Sequence, residues 1–186
     1  MVLAQLPLAL VILIKPHFMH QAFVALGSNL QNPVQQVKNA MLALASIPNT
    51  SISKMSSLYQ TAPIGYAADQ IDQVPDFINA VVAIETDLAP LALLDVLLEI
   101  ENNAGRKRPY PNAPRVLDCD LLLYENVVLN TEKLTLPHPR MHTRGFVLLP
   151  LFEISPHLSI TNHGKIAQLI QSHSFADVRK LVAQLD

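Results

Sequence analysis

Two aspartates interrupt an apolar, strand-like run at residues 117–124, near the middle of the chain. Side chains two residues apart on a strand point to the same face, so Asp118 and Asp120 are predicted to project together. The opposite face is predicted to be apolar and to consist of Leu117, Cys119, Leu121 and Leu123. Neighbouring carboxylates repel each other unless a cation compensates, and Mg²⁺ takes such oxygens along with substrate phosphates. The run therefore predicts a strand that carries a cation site.

Composition favours one compact, core-rich domain. The chain has 186 residues, of which 50% are hydrophobic and 15% charged, against about 25% charged in an average globular protein. Its formal net charge of -2 excludes a broadly basic nucleic-acid binder. The single cysteine, Cys119, excludes an internal disulfide and fits the reducing cytoplasm.

The first residues are apolar but do not match a targeting signal. In a signal peptide positive charge precedes the apolar run, whereas here Lys15 follows residues 2–14. The run is also too short to span a bilayer. We interpret residues 1–18 as an N-terminal extension, with translation expected to start at Met19, and residues 19–186 as a single domain.

The hydrophobic pattern predicts a βαββαβ order. Strands are expected at residues 22–26, 51–59, 77–85 and 117–124. Helices are expected to begin at Pro33, after an Asn32 cap, and at Pro90, with Gly105 closing the second. Further helical segments are predicted at residues 139–151, 166–171 and 175–185. This order is typical of an α+β, ferredoxin-like antiparallel sheet, here with additional C-terminal helices that make an α/β/α sandwich.

Positive charge is concentrated around the aspartates. Seven of the 13 Lys and Arg residues lie between positions 106 and 144, namely Arg106, Lys107, Arg108, Arg115, Lys133, Arg140 and Arg144. None of the five glycines forms a glycine-rich phosphate loop, so phosphates would be held by side chains, for which the arginine fork is suited. The alternative is a solvated basic loop that simply pairs with the aspartates.

A second basic group lies at residues 137–146, where two His and two Arg occur at a predicted loop-to-helix junction. Helix amides at such a junction also favour anions. His138 and His142 have the spacing of a helical zinc pair but lack the Glu of a His-Glu-x-x-His site. The sequence therefore favours an anion site over zinc.

Five short blocks, taken together, resemble one known family. They are residues 25–30 (ALGSNL), 76–80 (DFINA), 105–108 (GRKR), 114–120 (PRVLDCD) and 137–146 (PHPRMHTRGF). In this order and spacing they resemble the 6-hydroxymethyl-7,8-dihydropterin pyrophosphokinase family of folate biosynthesis, over residue 21 to the end.

The resemblance implies transfer of pyrophosphate from ATP to the hydroxymethyl group of the pterin, with AMP released. It implies Asp118 and Asp120 as catalytic ligands of two Mg²⁺ ions, and Arg106 and Arg115 as catalytic arginines. The implied ATP contacts are Arg108, Lys133, Thr135, His138 and Arg144. The implied pterin contacts are Thr61, Ala62, Ile64, Phe77, Asn79 and Phe146. A cytoplasmic monomer that binds neither nucleic acid nor membrane is expected.

The chain departs from the family in the loop before Pro114. Many relatives carry Arg-Trp-Gly there, whereas this chain has Tyr110 and no tryptophan at all. Prolines 109, 111 and 114 are expected to stiffen a loop that must close over substrates.

Two alternatives from other classes stay open at this point. One is a non-catalytic ferredoxin-like module that binds a nucleotide or small ligand, and the other is a nucleotide-sugar transferase with an Asp-x-Asp metal motif.

Overall fold

The computed structural model of the protein describes residues 18–63, 74–106 and 113–181. The strands in these ranges are β1 (His20–Ser28), β2 (Thr50–Met55), β3 (Tyr59–Thr61), β4 (Phe77–Thr86), β5 (Asp118–Tyr124), β6 (Leu129–Asn130), β7 (Thr135–Leu136), β8 (Ser159–Ile160), β9 (Gly164–Lys165) and β10 (Val178–Lys180). The helices are α1 (Pro33–Ala45), α2 (Pro90–Asn103), α3 (Gly145–Ile154) and α4 (Ile166–Gln171), with a 3₁₀ helix at Met141–Thr143.

The main sheet has the strand order β10-β3-β4-β1-β5, and β2 also pairs with β4. Every pairing in it is antiparallel. Since β2 and β3 pair with opposite ends of β4, they act together as the second strand of the predicted βαββαβ unit. The ferredoxin-like prediction is confirmed.

Two hydrophobic cores lie on the two faces of the sheet. One contains Val24, Leu26 and Val82 from the strands together with residues of α1 and α2. The other contains Phe23 and Val81 together with residues of α3 and α4. The alternation of side chains along β1 and β4 divides them between these cores, which confirms the α/β/α sandwich.

Both predicted proline starts are correct, since α1 begins at Pro33 and α2 at Pro90. Asn32 takes the cap position in a left-handed conformation (φ 61°) and makes no side-chain capping bond. Its carbonyl still accepts the amide of Gln36 at 3.1 Å. None of the helices in the described residues is long and apolar enough to cross a membrane.

Two predicted elements are each divided in the structure. The strand expected at residues 51–59 breaks at residues 56–58, where the amide of Val81 donates to Ser56 Oγ (3.0 Å) and the Ser56 amide to the Val81 carbonyl (3.0 Å). The helix expected at residues 139–151 breaks at Arg144, whose backbone is extended (φ −104°, ψ 110°). Hydrogen bonds between Ser56 and β4 and one extended residue at Arg144, rather than the hydrophobic period, therefore coincide with these boundaries.

The predicted face of Leu123 is wrong. Val24 of β1 pairs with Leu121 and Phe23 with Leu123, so Leu122 is an extra residue at a bulge. Leu122 and Leu123 consequently both lie in the core beneath α3. Leu117, Cys119 and Leu121, before the bulge, keep the predicted side.

The predicted helix at residues 175–185 is also wrong where it can be compared. Val178–Lys180 instead form β10, which pairs with all three residues of β3. The Leu181 amide extends this pairing by donating to the Leu58 carbonyl at 2.8 Å. An open strand edge therefore prevails over the helical pattern, and residues 182–186 lie outside the described residues.

Candidate active site

One row of paired residues crosses four strands on the face that carries α3. Tyr59 of β3, Asn79 of β4, Gly27 of β1 and Asp118 of β5 are successive partners in this row. A Cβ on Gly27 would lie 3.2 Å from Oδ1 of Asn79 and 4.0 Å from Cβ of Asp118. Glycine thus keeps the space between the polar side chains of Asn79 and Asp118 open.

The two aspartates lie at the start of β5, on the α3 face. Asp118 pairs with Gly27 and Asp120 with Ala25, and their side chains are 18% and 37% exposed. Both carboxylates are therefore accessible to a ligand at the same place, as the sequence predicts.

Cationic side chains from two different segments lie next to the aspartates. Arg115, at the end of the loop before β5, donates from Nη1 to Oδ2 of Asp118 at 2.6 Å. Arg144 Nη1 and His138 Nε2, from the segment before α3, each lie 3.9 Å from Oδ2 of Asp120. The fold thus brings together the two basic groups that lie apart in the sequence.

The donor set at the aspartates fits Mg²⁺. Two carboxylates are hard oxygen ligands, and Mg²⁺ is usually bound by one or two carboxylates, with waters and phosphates completing its six positions. Within the described ranges, no group of three or more His, Cys, Asp or Glu side chains could hold a metal. Asp118 and Asp120 would therefore share the ion with substrate oxygens rather than enclose it.

His138 is neutral at physiological pH. Its burial, followed by the charges of Arg144 and Arg140, lowers the pKa of His138 to about 4. The Arg140 amide donates to Nδ1 at 3.3 Å, so the proton of the neutral ring lies on Nε2, the nitrogen nearer Asp120. His138 can thus donate a hydrogen bond to an anion at this place without being charged.

Each predicted pterin-binding ring lies beside an arginine of the site. The guanidinium carbon of Arg115 is 5.6 Å from the ring centroid of Phe77, and that of Arg144 is 5.4 Å from the centroid of Phe146. These distances are in the range of cation–π contacts. Two arginine–aromatic pairs therefore flank the aspartates.

The predicted polar contact for the pterin is buried near the start of β4. Asn79 is 6% exposed and donates from Nδ2 to Oγ1 of Thr61, itself 3% exposed, at 3.0 Å. Ala62 follows directly and is half-buried. Ile64 lies outside the described residues.

A cavity of about 230 Å³ opens beside β5. It brings together Arg106, Asp120, Lys133, Thr135 and His138 from the predicted site. Apolar side chains form part of its lining, including Leu94, Leu98, Leu121 and Leu134. Leu94 and Leu98 were not predicted to belong to the site, because leucines on an amphipathic helix are ordinarily core residues.

Arg106 is anchored by another residue that the sequence did not predict for the site. Its Nη1 lies 2.5 Å from Oε2 of Glu101, which is only 1% exposed. Oε1 of Glu101 accepts the amide of Cys119, between the two aspartates, at 2.7 Å. Glu101 thus connects Arg106 to the aspartate strand, and Arg108 lies outside the described residues.

Asn29 is a further residue that the sequence did not predict for the site. Its side chain donates to the Pro75 carbonyl at 3.1 Å and accepts the Arg115 amide at 2.8 Å. It therefore joins the segment before Phe77 to the segment before Asp118. Its occurrence in the block at residues 25–30 was the available signal.

Comparison with known proteins assigns the family. The model of the 7,8-dihydro-6-hydroxymethylpterin-pyrophosphokinase family matches residues 23–156. A 2-amino-4-hydroxy-6-hydroxymethyldihydropteridine pyrophosphokinase of Haemophilus influenzae is 46% identical over 84% of this chain and 93% of the relative. One of Pseudomonas aeruginosa is 39% identical over 87% and 96%. The chain belongs to this pyrophosphokinase family, which confirms the resemblance.

Solved structures show the same fold. Plasmodium falciparum HPPK-DHPS crystallised with pteroate aligns with a TM-score of 0.69 at 15% identity, covering 94% of this chain and 49% of that chain. A second crystal structure of the same protein, with pterin and p-hydrobenzoate, gives 0.67 over 89% and 48%. The chain spans about half the length of these solved chains.

Proposed function

We propose that this protein transfers the terminal pyrophosphoryl group of ATP to the hydroxymethyl oxygen of 6-hydroxymethyl-7,8-dihydropterin, releasing AMP, in folate biosynthesis. One observation carries the proposal beyond family membership. The aspartate pair lies between two arginine–aromatic pairs, Arg115 with Phe77 and Arg144 with Phe146. Groups suited to phosphates and groups suited to a flat ring therefore meet at one place.

The nucleotide binds in the cavity beside β5. Its apolar lining at Leu94 and Leu98 suits the adenine base, and Lys133 and Thr135 offer donors to the ribose and phosphates. The phosphates extend towards His138, the arginines and the aspartates. Arginine binds phosphate through two parallel hydrogen bonds and keeps its charge, so Arg106, Arg115 and Arg144 stabilise the charge on the transferred group. Arg108 joins them as a further phosphate contact.

Asp118 and Asp120 would hold the two Mg²⁺ ions that we propose. When bound, such ions would neutralise charge on the phosphates. The Arg115 contact to Asp118 orients that carboxylate before substrates arrive.

The pterin ring lies between Phe77 and Phe146. Stacking on aromatic faces suits its flat heterocycle. The Asn79 side-chain amide has two N–H donors and one acceptor oxygen. One N–H donates to Thr61, and the other N–H and the oxygen recognise the edge of the pterin. Thr61 and Ala62 are the further pterin contacts that we propose among the described residues, and Ile64, outside them, is proposed as a third.

A product assay tests the proposal. The protein with ATP, Mg²⁺ and the hydroxymethyl dihydropterin should produce AMP in equal amount to the pterin diphosphate. Asp118→Ala and Asp120→Ala should abolish the reaction, and Asp95→Ala, at an exposed position of α2, should keep it. ADP as the product, binding without any AMP, or full activity of either aspartate variant would refute the proposal.

The metal requirement and the physical state are tested separately. Activity should disappear in EDTA and return on titration with Mg²⁺, with a dependence on more than one ion. We also propose a monomer acting in the cytoplasm, which sedimentation and cell fractionation would check.

A further inference from the structure

The segment after α4 contacts the two elements that carry the walls of the proposed pterin pocket: β3, which carries the Thr61 wall, and the start of α3, which carries the Phe146 wall. We call residues 174–181, which include Phe175 and β10, the C-terminal strap. It lies beyond residues 23–156, the part of the chain that the family model matches. None of the predicted substrate contacts belongs to it.

The strap pairs with the first wall of the pocket through β10. Val178 is the register partner of Thr61, which in turn pairs with Phe77. β3 has only three residues, and β10 pairs with each of them. Without β10 this short strand would form the sheet edge, held from one side only.

The strap packs on the second wall through Phe175. Gly145 is buried and stands between Arg144 and Phe146, at the start of α3. A Cβ on Gly145 would lie 2.6 Å from Cγ and 2.9 Å from Cβ of Phe175, and closer still to Cδ1. The Phe175 side chain therefore occupies the space above Gly145, where it limits movement of both neighbours.

The two contacts are connected to each other. The Val178 amide donates to the Phe175 carbonyl at 3.0 Å, so a hydrogen-bonded turn connects Phe175 to the start of β10. Lys180 donates to Oε1 of Glu153 on α3 at 2.9 Å, and Tyr59 of β3 donates to the other oxygen of Glu153 at 2.9 Å. Strap, β3 and α3 thus form one hydrogen-bonded unit.

We propose that the C-terminal strap is a positioning element for the pterin, with Phe175 as its main positioning residue. It sets the distance between the Thr61 wall and the Phe146 wall, so the gap between them matches a single flat ring. The inference rests on the proposed function, because it takes these two walls as the pterin pocket.

The test separates positioning from simple stability. Phe175→Ala should raise the KM for the pterin at least about 10-fold, because a displacement near 1 Å, which can cost about 100-fold in rate, also weakens the contacts that bind the ring. Leu169→Ala is the matched control, because Leu169 packs on the same core as Phe175. It should lower the melting temperature similarly and leave the pterin KM within about two-fold. An unchanged KM in Phe175→Ala, or an equal rise in the control, would overturn the proposal.

A second pair of variants keeps the test valid if Phe175→Ala does not fold. Gly145→Ala adds a methyl group where the Phe175 side chain lies and should raise the pterin KM. Adding Phe175→Leu to Gly145→Ala should bring the KM back towards the wild-type value. Gly145→Ala with a normal KM, or no relief in the double variant, would contradict the proposal.

The wild-type protein and Asp118→Ala are assayed alongside. If the wild type makes no AMP, the proposed function fails. If the wild type makes AMP, Asp118→Ala does not, and the strap variants keep the pterin KM of the wild type, the proposed function stands and only the strap inference fails.

Discussion

Removing the charge of Glu101 should destabilise the folded protein. Glu101 is 1% exposed, and its two oxygens contact Arg106 Nη1 at 2.5 Å and the Cys119 amide at 2.7 Å. Glu101→Gln keeps the shape but replaces one acceptor oxygen with an NH₂ donor. Both partners are donors, so one donor must face another whichever way the amide is turned.

The size of the effect follows from the burial of the pair. Breaking a buried ion pair by removing one partner costs about 3–5 kcal/mol. The Arg106 side chain keeps 25% of its exposure, so water recovers part of the cost, and we expect a loss of about 2–3 kcal/mol. With an m-value of about 2 kcal/mol per molar urea, the unfolding midpoint should fall by about 1–1.5 M.

Urea unfolding of the wild type and of two variants measures this change. Glu99→Gln is the matched control, since it makes the same change at an exposed position of the same helix. It should move the midpoint by less than about 0.3 M, as surface substitutions change stability within about 0.5 kcal/mol. If Glu101→Gln moves the midpoint no further than Glu99→Gln, the Glu101 pair contributes nothing and the reasoning is wrong.

Three further predictions concern the site and its surroundings. Asn29→Ala loses two side-chain hydrogen bonds that join two loops, at a cost of about 1 kcal/mol each. We therefore expect kcat/KM, measured by steady-state kinetics, to fall about 10-fold or more. Unchanged kinetics would contradict this. Phe77→Leu should weaken pterin binding about 2- to 10-fold through lost ring stacking, measured by calorimetry, whereas equally weakened ATP binding would count against a stacking role. Burial, then His163 and His173, lowers the pKa of His142, whose ring stacks on His163 at 3.8 Å. The unfolded chain therefore takes up protons first, and stability should fall as the pH drops below about 6.5. His142→Gln should flatten this decline in urea midpoints between pH 7.5 and 5, and an equally steep decline would refute it.

The sequence predicted the parts of the fold that depend on local pattern. Proline starts and alternating apolar residues defined α1, α2, β1 and β4 correctly. The errors lie where a distant strand decides the outcome. Val178–Lys180 carry two charged residues in three, which no strand pattern would select, yet they pair with the open edge of β3. The bulge at Leu122 likewise depends on pairing with β1.

The parts of the candidate site that the sequence predicted are those whose charged residues stand in an otherwise apolar or weakly charged context. Two aspartates in an apolar run and two arginine groups stand out in a chain with few charges. Glu101 does not stand out, because a glutamate on a helix is ordinarily solvated. Only the packing of α2 against β5 shows that it is buried beside a backbone amide.

The bulge at Leu122 has a consequence for insertions and deletions in this gene. Asp118 and Asp120 are oriented by their own partners, Gly27 and Ala25, whereas the bulge absorbs one residue between them and Tyr124. A codon lost at Leu122 would therefore spare the aspartates, and its cost would be the repacking of leucines beneath α3. A codon lost at Cys119 would leave the carboxylates adjacent in the chain and on opposite faces of the sheet. The segment between the two aspartates therefore tolerates no inserted or deleted residue, whereas the bulge a few residues later does.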